Sequence, residues 1–525
     1  MVHAGYSQQN ISKQVVEAMN TASTADIKAD ITYLADDKLK GRQPGTEGFK
    51  MAADYVSAKL KSYHVEPAGE NGSWLQQVRL RKSVTTDGSI SISKDNQVHN
   101  LAYGTDAVIF PDPVKKDNKV EGDIVFAGFG ISDAGLNYDD YKGLNVDGKI
   151  VLVLRGAPES FPSSVASHSM DLITIQKNAA AHGAAGVIVG ISNPAAHLPN
   201  LTRGIFSVTD EKGNIVVSRS YSSDKIKLLA VVNADVFKEL TAGKNAEEII
   251  SGLKAGKEQS FATSYRVKAS YQSAWQDINS FNVVGKIPGS DPKLRNEYVV
   301  HSAHLDHLGI GTPVQGDSIY NGAHDNASGV ASLLQIAKIY SNLRHKPKRS
   351  ILVVMVTAEE LGELGSGYFA HHPTVPIKNI VADVNTDMPT IIAPLLSVTA
   401  LGAEHSSLQK QVDEAAAQLD ITVEPDPEPK ENRFVRSDQY SFVVQGIPAL
   451  HIKYGSKTTD GKNNLNEFVA QWRAKYYHKP QDDINGIFDF DAGRKYAQLN
   501  FLIGYLVANN SERPQWNKGD IFAQR

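Results

Sequence analysis

The sequence predicts an α/β protein with a mostly parallel, mixed central sheet flanked by helices, together with a second, β-rich segment. In residues 275–525, apolar runs such as EYVVHSAHLDH alternate with helical patterns such as ASGVASLLQIAKIYSNL. Residues 351–356, ILVVMV, are apolar at every position, which indicates a strand buried on both faces and therefore a parallel sheet. Residues 115–265 differ, because several short β-runs accompany one pronounced helical pattern there.

The size and charge of the chain narrow the classes of protein. Its 525 residues suggest two or three domains, at about 100–200 residues per domain. The net charge of -4 gives no sign of a basic nucleic-acid surface or a polybasic membrane anchor. No apolar run reaches the roughly 18 residues of a membrane-spanning helix. The opening MVHAGYSQQNISKQ lacks the apolar stretch of a signal peptide.

The chain contains no cysteine. This excludes disulfide bonds, thiolate metal sites and a cysteine nucleophile. Any metal site would have to use His, Asp and Glu side chains, which suit zinc, manganese or cobalt.

The N-terminal region begins with two helical patterns, DIKADITYLADDKLKGR and TEGFKMAADYVSAKLKSYHV, separated by the turn signal of residues 41–45. Three β-patterns follow, in VRLRKSVT, SISISK and AVIF. The third region adds a helix in GSGYFAHH, a strand in IVADVNTDM, a helix in HSSLQKQVDEAAAQL and a strand in IPALHIKY.

The middle region carries β-runs in DIVFAGFGI, KIVLVLRG, AGVIVGI and KLLAVVNA, and a helix in DLITIQKNAAAHGA. The phrases VDGKIVLVLRG and QKNAAAHGAAGVIV resemble the protease-associated (PA) domain, a β-rich insertion of several peptidase families. A generic α/β insertion is the alternative. We therefore predict an N-terminal part of the main domain in residues 1–114, a PA insertion in 115–265 and the remainder of the main domain in 266–525.

Polar residues gather where the predicted strands of the third region end. They are His304 and Asp306, Asp325, Glu359 and Glu360, Asp387, and His478 in a proline-marked loop. Each has an ordinary explanation when taken alone, such as a helix cap for Asp325 or a solvated strand end for the two glutamates. Ligands of parallel sheets bind beyond the carboxyl ends of the strands, which is where all of these residues lie.

Neighbouring positions refine two of these predictions. Residues two apart in a strand point to the same side, so we expect the Asp306 carboxylate to orient the His304 ring. IVADVNTDM carries two acids, and Asp387 is preferred to Asp383 as a ligand because it lies nearer the carboxyl end of the strand. Asp383 is expected to be structural.

The motifs HLD, GAHDNASG, EE, NTDM and YHKPQDD occur in this order, and together they resemble peptidase family M28, the aminopeptidases built on a zinc-exopeptidase fold. KGRQPGTEGFKMAADYV and RSDQYSF extend the similarity over most of the chain. One departure is His324, where many relatives have an acid or a small residue.

The resemblance implies a pair of zinc ions, with manganese or cobalt also compatible. Asp325 would bridge the pair, His304 and Asp387 would complete one site, and Glu360 and His478 would complete the other. The resemblance further implies that Glu359 is the general base acting on a metal-bridging water and that Asp306 orients His304. Tyr477 would stabilise the tetrahedral intermediate.

The implied function is a metallo-aminopeptidase that acts on peptides with a free N-terminus, secreted or periplasmic in its mature form. A carboxypeptidase of the same family stays open, with Arg155, Arg433 and Arg436 as carboxylate contacts, unless these arginines pair with acids. Two further alternatives are a glutaminyl cyclase-like acyltransferase with one zinc ion and a metal-free binding protein. The residues carry no signal for nucleic-acid binding, for a preferred N-terminal residue or for an oligomeric state.

Overall fold

The computed structural model describes residues 11–241 and 244–524, which form two compact units. One unit contains the described residues up to Val78 and from Asn279 onward, and the other contains those of Arg79–Ile278. The helices are α1 Lys13–Met19, α2 Thr24–Leu34, α3 Glu47–Ser62, α4 Ser163–Ser169, α5 Leu172–Ala181, α6 Ala234–Leu240, α7 Ala246–Lys254, α8 Ser328–Ser341, α9 Leu364–His371, α10 Leu408–Gln418, α11 Gln439–Val443, α12 Leu465–Tyr476 and α13 Phe490–Asn509.

The strands are β1 Glu66–Pro67, β2 Leu75–Lys94, β3 Gln97–Leu101, β4 Ala107–Ile109, β5 Asp117–Phe126, β6 Ser132–Asp133, β7 Tyr138–Asp139, β8 Ile150–Leu154, β9 Gly186–Gly190, β10 Ile205–Thr209, β11 Ile215–Ser218, β12 Leu229–Val232, β13 Phe261–Ile287, β14 Tyr298–His304, β15 Gly309–Val314, β16 Asp317–Tyr320, β17 Ser350–Val356, β18 Ile380–Asn385, β19 Ser397–Leu401, β20 Thr422–Val423 and β21 Ala449–Tyr454.

The sheet of the first unit is parallel at its centre and antiparallel toward its edges. β14 pairs in parallel with β17 on one side and β18 on the other, and β18 pairs in parallel with β21. The end of β13 runs antiparallel to β17, and β19 runs antiparallel to β21. Every residue of β17 is buried, as the apolar run predicted. The predicted mixed, mostly parallel sheet is confirmed.

Helices pack against this sheet and against one another. α8 is buried from Ser328 to Ala337 and packs against α2 and α13. α3 begins at its cap Thr46, whose hydroxyl accepts the amide of Phe49. Among the described residues, no helix combines the length and the apolar character that crossing a membrane requires.

The second unit contains four consecutive parallel neighbours, β5, β8, β9 and β12, with β4 antiparallel to β12. The first part of β13 lies antiparallel along β5. Each of the four predicted β-runs forms a strand, and the predicted helix is α5. The boundaries of the unit fall inside β2 and β13, so it extends beyond residues 115–265 on both sides. The predicted limits of the insertion stay a prediction.

Two local predictions were wrong. The helical pattern through Leu39 breaks at Ala35, and a separate 3₁₀ turn, Asp37–Arg42, begins where Asp36 accepts the amide of Lys38. The patterns VRLRKSVT and SISISK form a single strand, β2, rather than two. This strand stays extended because its first half pairs with β10 and its second half with β3.

Candidate active site

The predicted polar residues converge at the carboxyl ends of the parallel strands. β14 ends at His304, Glu359 and Glu360 follow β17, and Asp387 follows β18. Because these strands are parallel neighbours, their carboxyl ends lie at one edge of the sheet. Asp325 lies in the turn before α8, and His478 follows α12.

Asp325 is the centre of the cluster, and its two carboxylate oxygens face different partners. Oδ1 lies 3.3 Å from Nε2 of His304, which is itself 3.4 Å from Oδ1 of Asp387. Oδ2 lies 3.2 Å from Nε2 of His478, which is also 3.2 Å from Oε2 of Glu360. The five predicted ligands therefore form two sets that share Asp325.

These separations fit zinc. Ligand atoms around a tetrahedral zinc ion with bonds of roughly 2.0–2.1 Å lie about 3.3 Å apart. The donor set of two imidazoles and three carboxylates is also one that zinc, manganese and cobalt accept. The three carboxylates are largely buried, which is costly unless cations compensate their charge. The residues thus fit a pair of divalent ions.

The pKa values of the clustered side chains are shifted by the many carboxylates around the two histidines. Although burial opposes it, Glu359, Asp325 and Asp387 raise the pKa of His304 well above its usual value. Burial lowers the pKa of His478, but the carboxylates of Asp325 and Glu360 outweigh burial and raise this pKa to about 10. Burial would raise the pKa of Asp325, but the two histidines outweigh burial and hold this pKa far below its ordinary range.

Asp306 does not make the contact that strand geometry suggested. The His304 Nδ1 atom lies 3.2 Å from the main-chain oxygen of Asp306. The Asp306 carboxylate instead accepts the main-chain amides of Glu359 at 3.1 Å and Glu360 at 3.3 Å. The reason is that β14 ends at His304, so the alternation of side chains no longer applies two residues later. Asp306 fixes the backbone that carries the two glutamates.

Glu359 lies at this strand end without joining either ligand set. Among residues 11–241 and 244–524, none hydrogen-bonds to its side chain or pairs with it. Burial raises the pKa of Glu359 well above its ordinary value, His304 opposes this, and Glu360, Asp387 and Asp438 add to it. Its carboxylate is thus close enough to the cluster to interact with it, yet it belongs to neither ligand set.

Tyr477 stacks on the ring of His478, with centroids 3.8 Å apart. The guanidinium carbon of Arg473 lies 3.9 Å from the Tyr477 ring centroid. Tyr477 also lines a cavity of about 260 Å³ that reaches Asp387. The tyrosine is therefore at the cluster, as predicted, and its role there stays a prediction.

His324 and Asp383 lie outside the two ligand sets. The His324 ring stacks on Phe488 with centroids 4.1 Å apart, and its Nε2 atom lies 3.0 Å from the main-chain oxygen of Ile487. Burial lowers the pKa of His324 to about 4, so the ring is neutral. Asp383 accepts the hydroxyl of Ser302 within the sheet.

Several residues that hold the ligands were not predicted. Asp482 accepts the amides of His324 at 2.9 Å and Asp325 at 3.0 Å, and Ser437 donates to Asp387 at 2.6 Å. Both belong to motifs that were recognised, YHKPQDD and RSDQYSF, but their partners are distant in sequence. The buried side chain of Arg42 donates to the main-chain oxygen of Leu34, at the end of α2, and to those of Leu305, Asn321 and Gly322 beside the site.

His307 is the other unpredicted residue. It is fully buried, and its Nδ1 atom lies 2.6 Å from Oε1 of Glu360. His307, Asp325 and Glu360 offer ligand atoms within 4.8 Å of one another. The signal was present in the sequence, since HLDH places a second histidine three residues after His304.

Two segments of the chain match known protein families. Residues 282–500 match the model of Peptidase family M28, and residues 120–229 match that of the PA domain. The probable leucine aminopeptidase 2 of Aspergillus oryzae is 25% identical over 225 residues, which cover 41% of this chain and 42% of that protein. Carboxypeptidase Q of Rattus norvegicus is 32% identical over 120 residues, or 22% of this chain and 23% of that protein.

Among solved structures, the aminopeptidase from Aneurinibacillus sp. strain AM-1 matches with a TM-score of 0.50 and 18% identity, covering 95% of this chain and 97% of that one. At this identity the likeness concerns the fold. The sequence matches span less than half the length of both curated relatives.

Proposed function

With residues 282–500 belonging to peptidase family M28 and residues 120–229 to the PA domain family, we propose that this protein is a two-zinc metallo-aminopeptidase. The observation that carries the proposal is the placement of Asp325, whose two oxygens each face one set of ligands. His304 and Asp387 would hold one ion, and Glu360 and His478 the other. A pair of this kind, when bound, supplies Lewis-acid polarisation of the substrate carbonyl and lowers the pKa of water to about 7.

Glu359 is proposed to move the proton. Its carboxylate takes a proton from the attacking water and passes it to the leaving amine, a role that contributes roughly 10²–10⁴-fold. Asp306 supports this step by fixing the amide of Glu359. Tyr477 lies beside His478 with its hydroxyl-bearing ring at the cavity, where it would donate to the developing oxyanion.

The substrate would be a peptide with a free N-terminus. Its free α-amine would be held at the metal cluster and by the acid beside it, Glu359. The carboxypeptidase alternative is less favoured, because Arg433 pairs with Asp426 and Glu428, and the Nε of Arg155 donates to a main-chain oxygen.

The direct test is hydrolysis of aminoacyl and N-blocked peptide substrates by the same preparation. Free-amine substrates should be cleaved, N-acetylated ones should not, and activity should vanish with a chelator and return with zinc. Glu359→Gln should retain both zinc ions yet lose about 10²–10⁴-fold in kcat, whereas Glu467→Gln, an acid of α12, should change neither. Cleavage of blocked substrates from the C-terminus, or full turnover by zinc-replete Glu359→Gln protein, would reject the proposal.

The zinc content and the cellular location are also part of the proposal. A glutaminyl cyclase-like acyltransferase would use one zinc ion, so a content of two per chain separates the alternatives. We also propose a secreted or periplasmic location, since a chain without cysteine is indifferent to an oxidising compartment. Fractionation of the source cells tests this location.

A further inference from the structure

Four cationic side chains line the cavity of about 260 Å³ that lies against Asp387. They are Arg433, Arg436, Lys453 and Arg473. The cavity is smaller than the roughly 300–1,000 Å³ of pockets for drug-sized ligands, so it suits a single side chain or terminal group. Whatever it binds lies next to a proposed zinc ligand.

Two of these cations are already paired. Arg433 donates to Asp426, and its Nη1 atom lies 3.2 Å from Oε2 of Glu428. Arg436 lies 4.0 Å from Glu431, and half of its side chain is exposed. The acids neutralise this side of the cavity, as the pairing alternative predicted.

The other two cations have no carboxylate ion-pair partner within the described part of the chain. Lys453 donates to the main-chain oxygen of Asp387 at 2.9 Å. The Arg473 guanidinium lies over the Tyr477 ring, and its Nη1 atom is 3.9 Å from the sulfur of Met388. A guanidinium has five N–H donors, so most of those of Arg473 find no acceptor among these residues.

We propose that Arg473, assisted by Lys453, binds a carboxylate of the substrate. The source is either an acidic side chain on the N-terminal residue or the terminal carboxylate of a dipeptide. The inference rests on the proposed function, which places the substrate against Asp387. A guanidinium binds a carboxylate through two parallel hydrogen bonds, and the contact with the Tyr477 ring keeps the Arg473 guanidinium at the cavity. A neutral substrate would leave the free donors of Arg473 without a carboxylate partner.

The test measures kcat/KM of the zinc-loaded full chain and of Arg473→Gln. One series uses the p-nitroanilides of glutamate, glutamine and leucine, and the other uses leucyl-leucine and its C-terminal amide. If the site binds an acidic side chain, the wild type should prefer the glutamate to the glutamine p-nitroanilide by about 10- to 100-fold in kcat/KM. If it binds a terminal carboxylate, the wild type should prefer leucyl-leucine to its amide by about the same factor. Arg473→Gln should abolish that preference, and Arg473→Lys should restore part of it.

Lys475→Gln, an exposed cation two residues further along α12, is the matched control and should keep the preference. Isothermal titration of glutamate against glutamine, and of leucine against leucinamide, measures binding without turnover. A carboxylate preference in binding that Arg473→Gln abolishes, in a protein that hydrolyses no substrate, would support this site and reject the aminopeptidase. Equal values for each carboxylate and its amide in turnover and in binding, or an equal loss on all substrates in Arg473→Gln, would overturn the proposal.

Discussion

The imidazole of His307 and the carboxylate of Glu360 lie 2.6 Å apart, and both are buried. The contact orients one oxygen of Glu360 while the other faces His478. A buried partner of this kind orients the side chain of a metal ligand, the role proposed for Glu360.

We therefore expect His307→Ala to weaken zinc binding by about 10–100-fold, as is typical when a partner of a metal ligand is lost. Competition with a fluorescent zinc chelator measures the affinity. His324→Phe is the matched control, because that histidine is equally buried but stacks on Phe488, outside the ligand sets. An unchanged affinity in His307→Ala would show that Glu360 needs no such support.

Asp482 carries the turn that presents Asp325. Its two oxygens accept the main-chain amides of His324 and Asp325 inside the protein. Asp482→Ala leaves both donors unsatisfied, and each such loss costs about 1–3 kcal/mol. Denaturant unfolding of the zinc-free protein should show a clear loss of stability, and zinc affinity should fall as well. Asp483→Ala, the adjacent and more exposed acid, should cost less than about 1 kcal/mol; equal effects of the two variants would refute this role.

Asp140 of the second unit predicts a dependence of stability on pH. It is buried and accepts the amides of Phe129 at 2.9 Å and Ile131 at 3.1 Å. Burial raises its pKa to about 7; the two amide hydrogen bonds and the nearby Tyr138 hydroxyl oppose the rise, and Glu258 adds to it. The folded state therefore holds a proton that the unfolded state loses above about pH 4.

Because the folded state binds more protons in this window, stability should fall as pH rises from about 4 to 7, by up to about 1.4 kcal/mol per pH unit. Asp140→Asn keeps an oxygen for the two amides and removes the titration, so the difference between variant and wild type isolates this group. Thermal unfolding at several pH values measures it, with Asp139→Asn as the control. Parallel pH profiles of wild type and Asp140→Asn would contradict the assignment.

The fold could be predicted from the sequence because the pattern of apolar residues within each strand and helix indicates how that element is buried. The apolar run of β17 and the spacing in α8 follow from contacts that each element makes along its length. The positions of His304, Glu360 and Asp387 were readable for a similar reason, since each ends or follows a strand that the pattern predicted. Asp325 instead precedes α8, and His478 follows α12.

What escaped prediction depends on contacts between distant residues. The hydrogen bond between Ser437 and Asp387 joins residues that are 50 positions apart in the sequence. The hydrogen bond between Arg42 and Leu305 joins residues that are 263 positions apart. The role of Asp306 was misassigned because β14 ends at His304, two residues earlier, so the Asp306 carboxylate binds main-chain amides instead of the His304 ring. Arg473 was overlooked because nothing in the sequence of α12 distinguishes an arginine facing a cavity from one facing solvent.

Asp325 is proposed to join two zinc sites. Anomalous diffraction at the zinc edge, on crystals of the zinc-loaded protein, tests it most directly. Two peaks are expected about 3.5–4 Å apart, one among His304, Asp325 and Asp387 and the other among Asp325, Glu360 and His478. A single peak, or two peaks that do not share Asp325, would contradict the account.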